Sequence, residues 1–350
     1  MMDISPSAFL PDYPFFKYDD RGNLIEWSYF DIEGKPTLHK DGYHKFIVKH
    51  DDRGNKIETA KYDKFGNKTG KEHFDEAGKT VSSEKAYFNA EGNATLHKDG
   101  YHKVILKYDY CQNPTEIAFF DVSGNQALNK DGNFHKFTMK CDEQGNYIEG
   151  AYFGMGGKAI LIKGGFHRFI AEYDKRGNQT ERACFNTEGR PTLNKDGYHK
   201  FTAKYDDQGN NIEFAYSNTE GKPMLHKEGY HKFTAKHDDQ GNKIELVYFD
   251  VNGHQMQMEI FVGKVLGSQG EKLGIKAGDI FTHYDGKPVS DTFQFIATRN
   301  AEPQNSPPKE LKVRRNEEVL TFTLSPGKIG VELANRPVPG STPSSGQAAP

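Results

Sequence analysis

The chain has 350 residues, of which 35% are hydrophobic, 27% charged and 13% aromatic, with 36 glycines. Its formal net charge is −3 and its acidic and basic residues are interleaved, so it lacks the basic face that phosphate binding needs and no nucleic-acid partner is expected. No segment approaches the ~20 apolar residues of a membrane span. Glycine at regular intervals among many aromatics points to short strands and tight turns, not to helical bundles or disorder.

The N-terminal stretch MMDISPSAFLPDYPFF has neither a basic start nor an apolar run of signal-peptide length. As written, the chain is therefore expected to be soluble and cytoplasmic. Its three cysteines, Cys111, Cys141 and Cys184, are irregularly spaced and contain no CxxC pair. They make neither a disulfide framework nor a zinc motif, and are expected to be buried or inert thiols.

An internal repeat dominates the chain up to about Gly253. KDGYHK occurs at Lys40–Lys45, Lys98–Lys103 and Lys195–Lys200, with variants ending at Lys136, Arg168 and Lys232. The histidines of these copies are His44, His102, His135, His167, His199 and His231, separated by 58, 33, 32, 32 and 32 residues. The period is 32, and the long first step is one period plus a degenerate unit of 26 residues. Inside that step the turn motif recurs at Gly54, Gly66 and Gly78 without a KDGYHK.

Each unit reads approximately Y-D-x-x-G-N-x-I-E-x-x-Y-F-D-x-x-G-K-P-x-L-x-K-D-G-Y-H-K-F-x-x-K. Aspartate opening a turn accepts hydrogen bonds from N–H groups further along. Glycine at its end takes the left-handed conformation that returns the chain. Turns are predicted near Gly22, Gly145, Gly177, Gly209 and Gly241. Between turns the side chains alternate as in strands: Ile212, Phe214 and Tyr216 on one face, Glu213 on the other. His199, Phe201, Ala203 and Tyr205 likewise share a face opposite Lys200, Thr202 and Lys204. One unit cannot bury such a face alone, so neighbouring units must stack. The predicted fold is mainly β: a repetitive β-hairpin array over residues 13–255, solenoid- or spiral-like, followed by a small α+β domain.

The Y-D-x-x-G-N turn and its flanking strands resemble YD (Rhs-type) repeats, which build spiralled sheets of hairpins. The 32-residue period and the KDGYHK element depart from that shorter repeat, so the resemblance does not imply a closed shell. The array is also loosely similar to the aromatic hairpin repeats of cell-wall-binding proteins. Neither likeness names a ligand.

The repeated histidines come one per unit along an extended array, whereas metal ligands must converge on one ion. They are expected to pack on the aromatic face, each held by a backbone group. D-D-x-G-N-x-I-E, at Asp206–Glu213 and Asp238–Glu245, resembles a calcium loop in outline but lacks the 12-residue spacing of an EF-hand. Turn chemistry accounts for it without a metal. Lys and Tyr alternating on an outer face of the KDGYHK segments suit either a solvated sheet face or a surface for glycans or acidic polymers. No Ser–His–Asp set, paired catalytic carboxylates or phosphate loop is visible. A repeat offers the same residues many times, whereas catalysis needs one unequal constellation. No enzymatic activity, cofactor or metal is expected.

After Gly253 the rhythm stops. An apolar strand at Ile260–Leu266 leads to LGIKAGD, a strand at Ile280–Tyr284 and a turn at Asp285–Gly286. A helix is predicted over Asp291–Arg299, capped by Ser290 or Asp291, then two more strands, ELKVRR and EVLTFTL. The residues Leu273–Asp279 and Tyr284–Val289, in this order of elements, resemble a PDZ domain of the bacterial HtrA-like and site-2-protease-like type. The likeness spans Met256 to Leu333, giving domain limits of 256–333 and a Pro-, Ser- and Gly-rich tail at 334–350, expected to be flexible.

PDZ domains receive a peptide as an added strand between a sheet edge and a helix. The resemblance assigns the carboxylate loop to Lys328, Ile329, Gly330 and Val331, and the pocket to Phe293, Ile296 and Ala297 on the helix. The expected partner is therefore a peptide or protein C-terminus, with the repeats as a rigid platform. The alternative is a carbohydrate- or surface-binding array, with a glycan or protein on the repeat face and the final domain as an accessory.

Overall fold

In the computed structural model, residues 13–338 are described. The fold is mainly β, with few helices. The chain divides into two units: one runs to Gly177 and includes Ala183–Thr192, while the other contains Asn178–Arg182 and everything from Leu193 onward. The expected tail beyond Val338 and the stretch before Tyr13 lie outside the described residues.

In the first unit each strand from Tyr13–Tyr18 to Arg168–Tyr173 pairs antiparallel with the next. In the second, Lys200–Tyr205, Asn211–Ser217, Lys232–His237, Lys243–Phe249 and Gln255–Met256 pair in the same way. The turn that joins the strands follows from its sequence. At Asp206–Asn210, Asp206 Oδ1 accepts the N–H groups of Gln208 and Asn210 at 2.9 and 2.8 Å, and Oδ2 accepts Asn210 Nδ2 at 2.9 Å. Gly209 sits at φ +87°, a conformation that a side chain disfavours. Gly22, Gly145, Gly177 and Gly241 take the same conformation, as the spacing predicts.

These hydrogen bonds have an acid consequence. The Asn side chain, followed by the turn N–H groups, holds Asp19, Asp51, Asp142, Asp206 and Asp238 below the ordinary carboxylate range. A carboxyl whose folded pKa lies below its unfolded value of about 3.9 contributes stability above that pH and loses it as pH falls through the folded pKa. The array is thus expected to keep constant stability above about pH 5 and to unfold steeply below about pH 4, because every unit carries the turn. Urea melts followed by circular dichroism from pH 2.5 to 7 check this, and flat stability down to pH 3 would contradict it.

The two faces of the array are built differently. On one, the segment after each second strand folds back as a cover. Tyr43, Tyr101 and Tyr230 of KDGYHK are 6–8% exposed and lie against Tyr29, Tyr87 and Tyr216 at 5.8–5.9 Å. The outer Lys/Tyr face expected of the KDGYHK segments is thus corrected: the segment is a turn, and its tyrosine is buried beneath it. The histidine closes the cover. In all six copies its N–H donates to the carbonyl eighteen residues on, from His44 to Tyr62 through His231 to Phe249. His44, His102, His135 and His167 stand edge-on to Phe30, Phe88, Phe120 and Phe153, with ring centroids 5.2–5.4 Å apart. Their Nδ1 atoms meet backbone carbonyls at 2.7–3.2 Å. His231 departs from this pattern, its buried Nδ1 having no partner among the described residues.

The other face is charged and regular. Glu116 lies between Lys107 and Lys136 at 2.9 and 3.3 Å, and Glu58, Glu149 and Glu213 are flanked in the same way. Burial raises the pKa of these glutamates, but the paired cations outweigh it and leave each below the usual range. Partly exposed pairs of this kind contribute at most about 1 kcal/mol each, so they fix register and solubility more than stability. Of the cysteines, Cys184 is buried, Cys141 half-buried and Cys111 exposed. Burial first, then Asp109 and Asp142, push the Cys141 thiol pKa up. The expectation of burial fails at Cys111, which sits in a turn.

The C-terminal domain comprises β1 (Met258–Val265), α1 (Ser268–Leu273), β2 (Ile280–Tyr284), β3 (Lys287–Pro288), α2 (Thr292–Asn300), β4 (Lys309–Arg315), β5 (Glu318–Leu324) and β6 (Val331–Pro337). The sheet order is β5-β4-β2-β1-β6, with β3 folded back on β2. Ile260, Val262, Leu311, Val313 and Leu324 have no exposed surface and pack with Phe281, Tyr284 and Phe295. Burial of each such side chain is worth up to about 3 kcal/mol. Asp279, the aspartate of LGIKAGD and 1% exposed, is gripped by both nitrogens of a fork from Arg315 at 2.7 and 2.8 Å and by the Lys276 N–H. It is therefore structural. β6 runs to Pro337, four residues beyond the Leu333 limit read from the sequence, because the whole strand is zipped to β1.

Candidate functional site

β6 ends the sheet order, so its outer edge is unpaired among the described residues, and α2 packs alongside it. Asp291 caps α2 by accepting the N–H groups of Phe293 and Gln294 at 2.9 and 3.1 Å. Phe295 and Arg299, four residues apart, form the buried side of the helix. Phe293 and Ile296 remain 42% and 46% exposed, and Ala297 is exposed as well.

The loop from Ser325 to Gly330 feeds into β6, and its carbonyl groups are engaged by the protein. Arg299 Nη2 donates to the carbonyls of Ser325 and Gly327 at 2.9 and 2.7 Å. Ser268 Oγ donates to the Lys328 carbonyl at 3.3 Å. The N–H groups of Gly270 and Leu266 donate to the carbonyls of Ile329 and Gly330 at 2.6 and 2.8 Å. The N–H groups of Lys328, Ile329 and Gly330 meet no protein acceptor among the described residues. A loop whose carbonyls are taken and whose N–H groups are free suits an anion, since oriented backbone donors attract negative charge.

Of the seven residues assigned from the sequence, Lys328, Gly330 and Val331 lie in or at the end of this loop, and Ile329 anchors it with a side chain only 8% exposed. Gly330 has a packing reason for being glycine. A Cβ there would fall 2.1 Å from the Gly267 carbonyl oxygen, and its φ is +80°. Gly330→Val would distort the loop itself, so it does not isolate ligand binding. Lys243 Nζ of the last repeat stands 4.9 Å from the Phe293 ring centroid, so Phe293 faces the array as well as solvent.

Arg299 is the residue that sequence reading missed. Besides the two carbonyls, its Nη1 donates to Tyr284 Oη at 2.6 Å and Glu302 Oε2 at 3.1 Å. A lone arginine in the last turn of a helix reads as a dipole partner; only the fold shows that it spans α2 and the loop. Burial and Glu302 raise the pKa of the Tyr284 hydroxyl against the opposing effect of Arg299. The domain also meets the last repeat through polar groups. Tyr248 Oη donates to Asp291 Oδ2 at 2.9 Å, and Asn335 Nδ2 donates to both of those oxygens at 2.7 and 2.8 Å.

Among the described residues no three His, Cys, Asp or Glu side chains converge as metal ligands, and no helix is long and apolar enough to cross a membrane. No family model and no curated protein matches the chain. Among solved structures it is similar to a Photorhabdus luminescens Tc holotoxin pore at 13% identity and TM-score 0.28, over 87% of this chain and 16% of that one. It is likewise similar to a TcdB2-TccC3 crystal structure at 14% identity and TM-score 0.28, over 90% and 17%. The chain therefore spans less than a fifth of the toxin chains it matches. An HtrA-type protease with a decapeptide matches at 14% identity and TM-score 0.15, over 75% of this chain and 84% of that one.

Proposed function

We propose that this chain is a non-enzymatic scaffold whose C-terminal domain binds the C-terminus of a peptide or protein, with the β-repeat array as its platform. The supporting observation is the loop at Lys328–Gly330, with its carbonyls engaged and its N–H groups open, at the head of a free strand edge lined by α2. A peptide adding to β6 would gain backbone hydrogen bonds along the strand, and its terminal carboxylate would meet the loop donors. Ile296 and Ala297, with Phe293 toward the array, offer the apolar surface for its side chains. No cofactor takes part, and the partner is a protein end rather than nucleic acid or membrane.

The test is a library of peptides with free C-termini against the full chain, each binder then remade as its C-terminal amide. Charge-assisted hydrogen bonds are worth about 1.5–3 kcal/mol, so amidation is expected to weaken binding about tenfold or more. Ile296→Asp should weaken the same peptides while leaving the melting temperature within about 2 °C, since surface changes stay within ~0.5 kcal/mol. No binder, or equal affinity of acid and amide, refutes carboxylate recognition.

A further inference from the structure

The degenerate unit of the array breaks more than a rhythm. From Lys45–His50 to Thr80–Ala86 the strands are joined at Asp51–Asn55, Asp63–Asn67 and Asp75–Lys79 by short turns with no cover segment. The next cover comes only before Tyr101. On the covered face, register places Phe46 and Val48 beside Lys61 and Thr59, then Gly70 and Glu72, then Lys85 and Ser83, then Val104 and Leu106. In an ordinary unit this row is aromatic, as where Phe201 and Ala203 lie beside Tyr216 and Phe214. Here, over three strands, it is polar and uncovered. A cavity of about 440 Å³ lies on it, bounded by Asp41 and Gly42 on one side and Leu106 on the other.

We propose that this cleft is a binding site for an acidic saccharide, an anionic group carried on a polyhydroxylated ring. Lys61 and Lys85 flank Gly70 in register, two strand spacings or roughly 10 Å apart. Neither ammonium meets a carboxylate among the described residues; each lies over a tyrosine ring instead, Lys61 by Tyr43 at 5.8 Å and Lys85 by Tyr87 at 5.0 Å. On the opposite face Lys107, Lys140, Lys204 and Lys236 are each matched to a glutamate; Lys61 and Lys85, like Lys56 and Lys68, lie over rings instead, but these two border the cleft. Glycine between them leaves the floor open: no atom approaches the position of a Cβ on Gly70 more closely than 3.5 Å. Glu72, which accepts Thr59 Oγ1 at 3.2 Å, and Ser83 supply the acceptor and hydroxyl groups that sugar hydroxyls need. The volume lies within the range of small-ligand sites. A mostly polar floor favours a sugar over an acidic peptide, which would want apolar side-chain pockets.

The probes are glucuronate, glucose 6-phosphate, glucose, inorganic phosphate and a tetraglutamate peptide, titrated into the full chain by calorimetry or by amide shifts of residues 59–85. Glucuronate or glucose 6-phosphate, or both, should bind at least tenfold more tightly than glucose, phosphate or the peptide. Which of the two is preferred tells carboxylate from phosphate. The double variant Lys61→Gln/Lys85→Gln should lose at least tenfold in affinity with an unchanged β spectrum, whereas Lys204→Gln, on the charged face, should lose none. Gly70→Tyr, which restores the aromatic row and fills the cleft, should abolish binding without lowering the melting temperature. Tighter binding of the peptide or of phosphate alone, equal binding of glucose, or binding that survives both the lysine and the Gly70 changes overturns the proposal.

Discussion

Replacing Arg299 with alanine is expected to destabilise the C-terminal domain by about 3–5 kcal/mol, the cost of breaking a buried, hydrogen-bonded ion pair. The side chain is 6% exposed, as Glu302 is 7%. Its removal leaves the Gly327 carbonyl without its donor, while the Ser325 carbonyl keeps Gln269 Nε2 at 3.0 Å and the Tyr284 hydroxyl keeps Glu302 at 2.8 Å. Lys309, 3.2 Å from Glu302, keeps the carboxylate from being wholly uncompensated, which places the effect at the lower end. Because a loss of that size leaves too little folded domain to assay, Arg299→Lys carries the functional question. Lysine keeps the charge but cannot fork to two carbonyls. It should lower stability by about 1–2 kcal/mol and speed hydrogen exchange at Lys328–Gly330. If the loop is the carboxylate site, it should also weaken free-acid peptides more than their amides. Unchanged exchange at Lys328–Gly330 in Arg299→Lys would show that the arginine does not hold the loop.

How legible this was in the sequence varies with the range of the interactions. The turns were fully readable, because an Asx-type turn is closed by residues two to four positions apart, all within Asp206–Asn210 and its copies. The strand faces were readable from alternation, and the helix α2 from Asp291 and its apolar spacing. The cover was misread at Tyr43, Tyr101 and Tyr230, because a Lys–Tyr alternation reads the same in a strand and in a loop folded back over an aromatic row. The final strand was cut short at Leu333 for a related reason. Asn335 and Arg336 look like loop residues, yet Asn335 is buried against Tyr248 and Asp291, and Arg336 pairs with the nearly buried Glu259 at 2.8 Å. Arg299 was missed because its partners other than Glu302 lie 15 to 28 residues away. The spacing of the repeat did, however, mark the degenerate unit: the 58-residue step between His44 and His102 is the stretch that lacks its covers and bears the cleft.

The network joining Tyr248, Asp291 and Asn335 predicts that α2 is stabilised by the last repeat. Asp291 is 6% exposed, Tyr248 and Asn335 7%, and each of the three side chains bonds to both of the others. Burial, then the charge and hydrogen bond of Asp291, raise the pKa of the Tyr248 hydroxyl, so it remains a donor throughout the neutral range. Asp291→Ala removes the helix cap, worth about 1 kcal/mol, and leaves the buried Tyr248 hydroxyl without an acceptor and the Asn335 amide with only one, about 1–3 kcal/mol more. A total near 3 kcal/mol is expected. Tyr248→Phe removes one donor to Asp291 and one of the two acceptors of Asn335 Nδ2, and should cost about 1 kcal/mol. In the double variant the hydroxyl that Asp291→Ala would strand is already absent, so the two effects should sum to less than their separate values by at least about 0.5 kcal/mol. Hydrogen exchange resolves where the loss falls: Tyr248→Phe, a change in the repeat, should speed exchange in Thr292–Asn300. Additive effects, or exchange changes confined to Lys243–Phe249, would mean that the repeat only abuts the domain. Non-additivity with faster exchange in α2 would mean that the wall of the proposed groove is set in part by a residue of the array, so that a ligand on either element would bias the other.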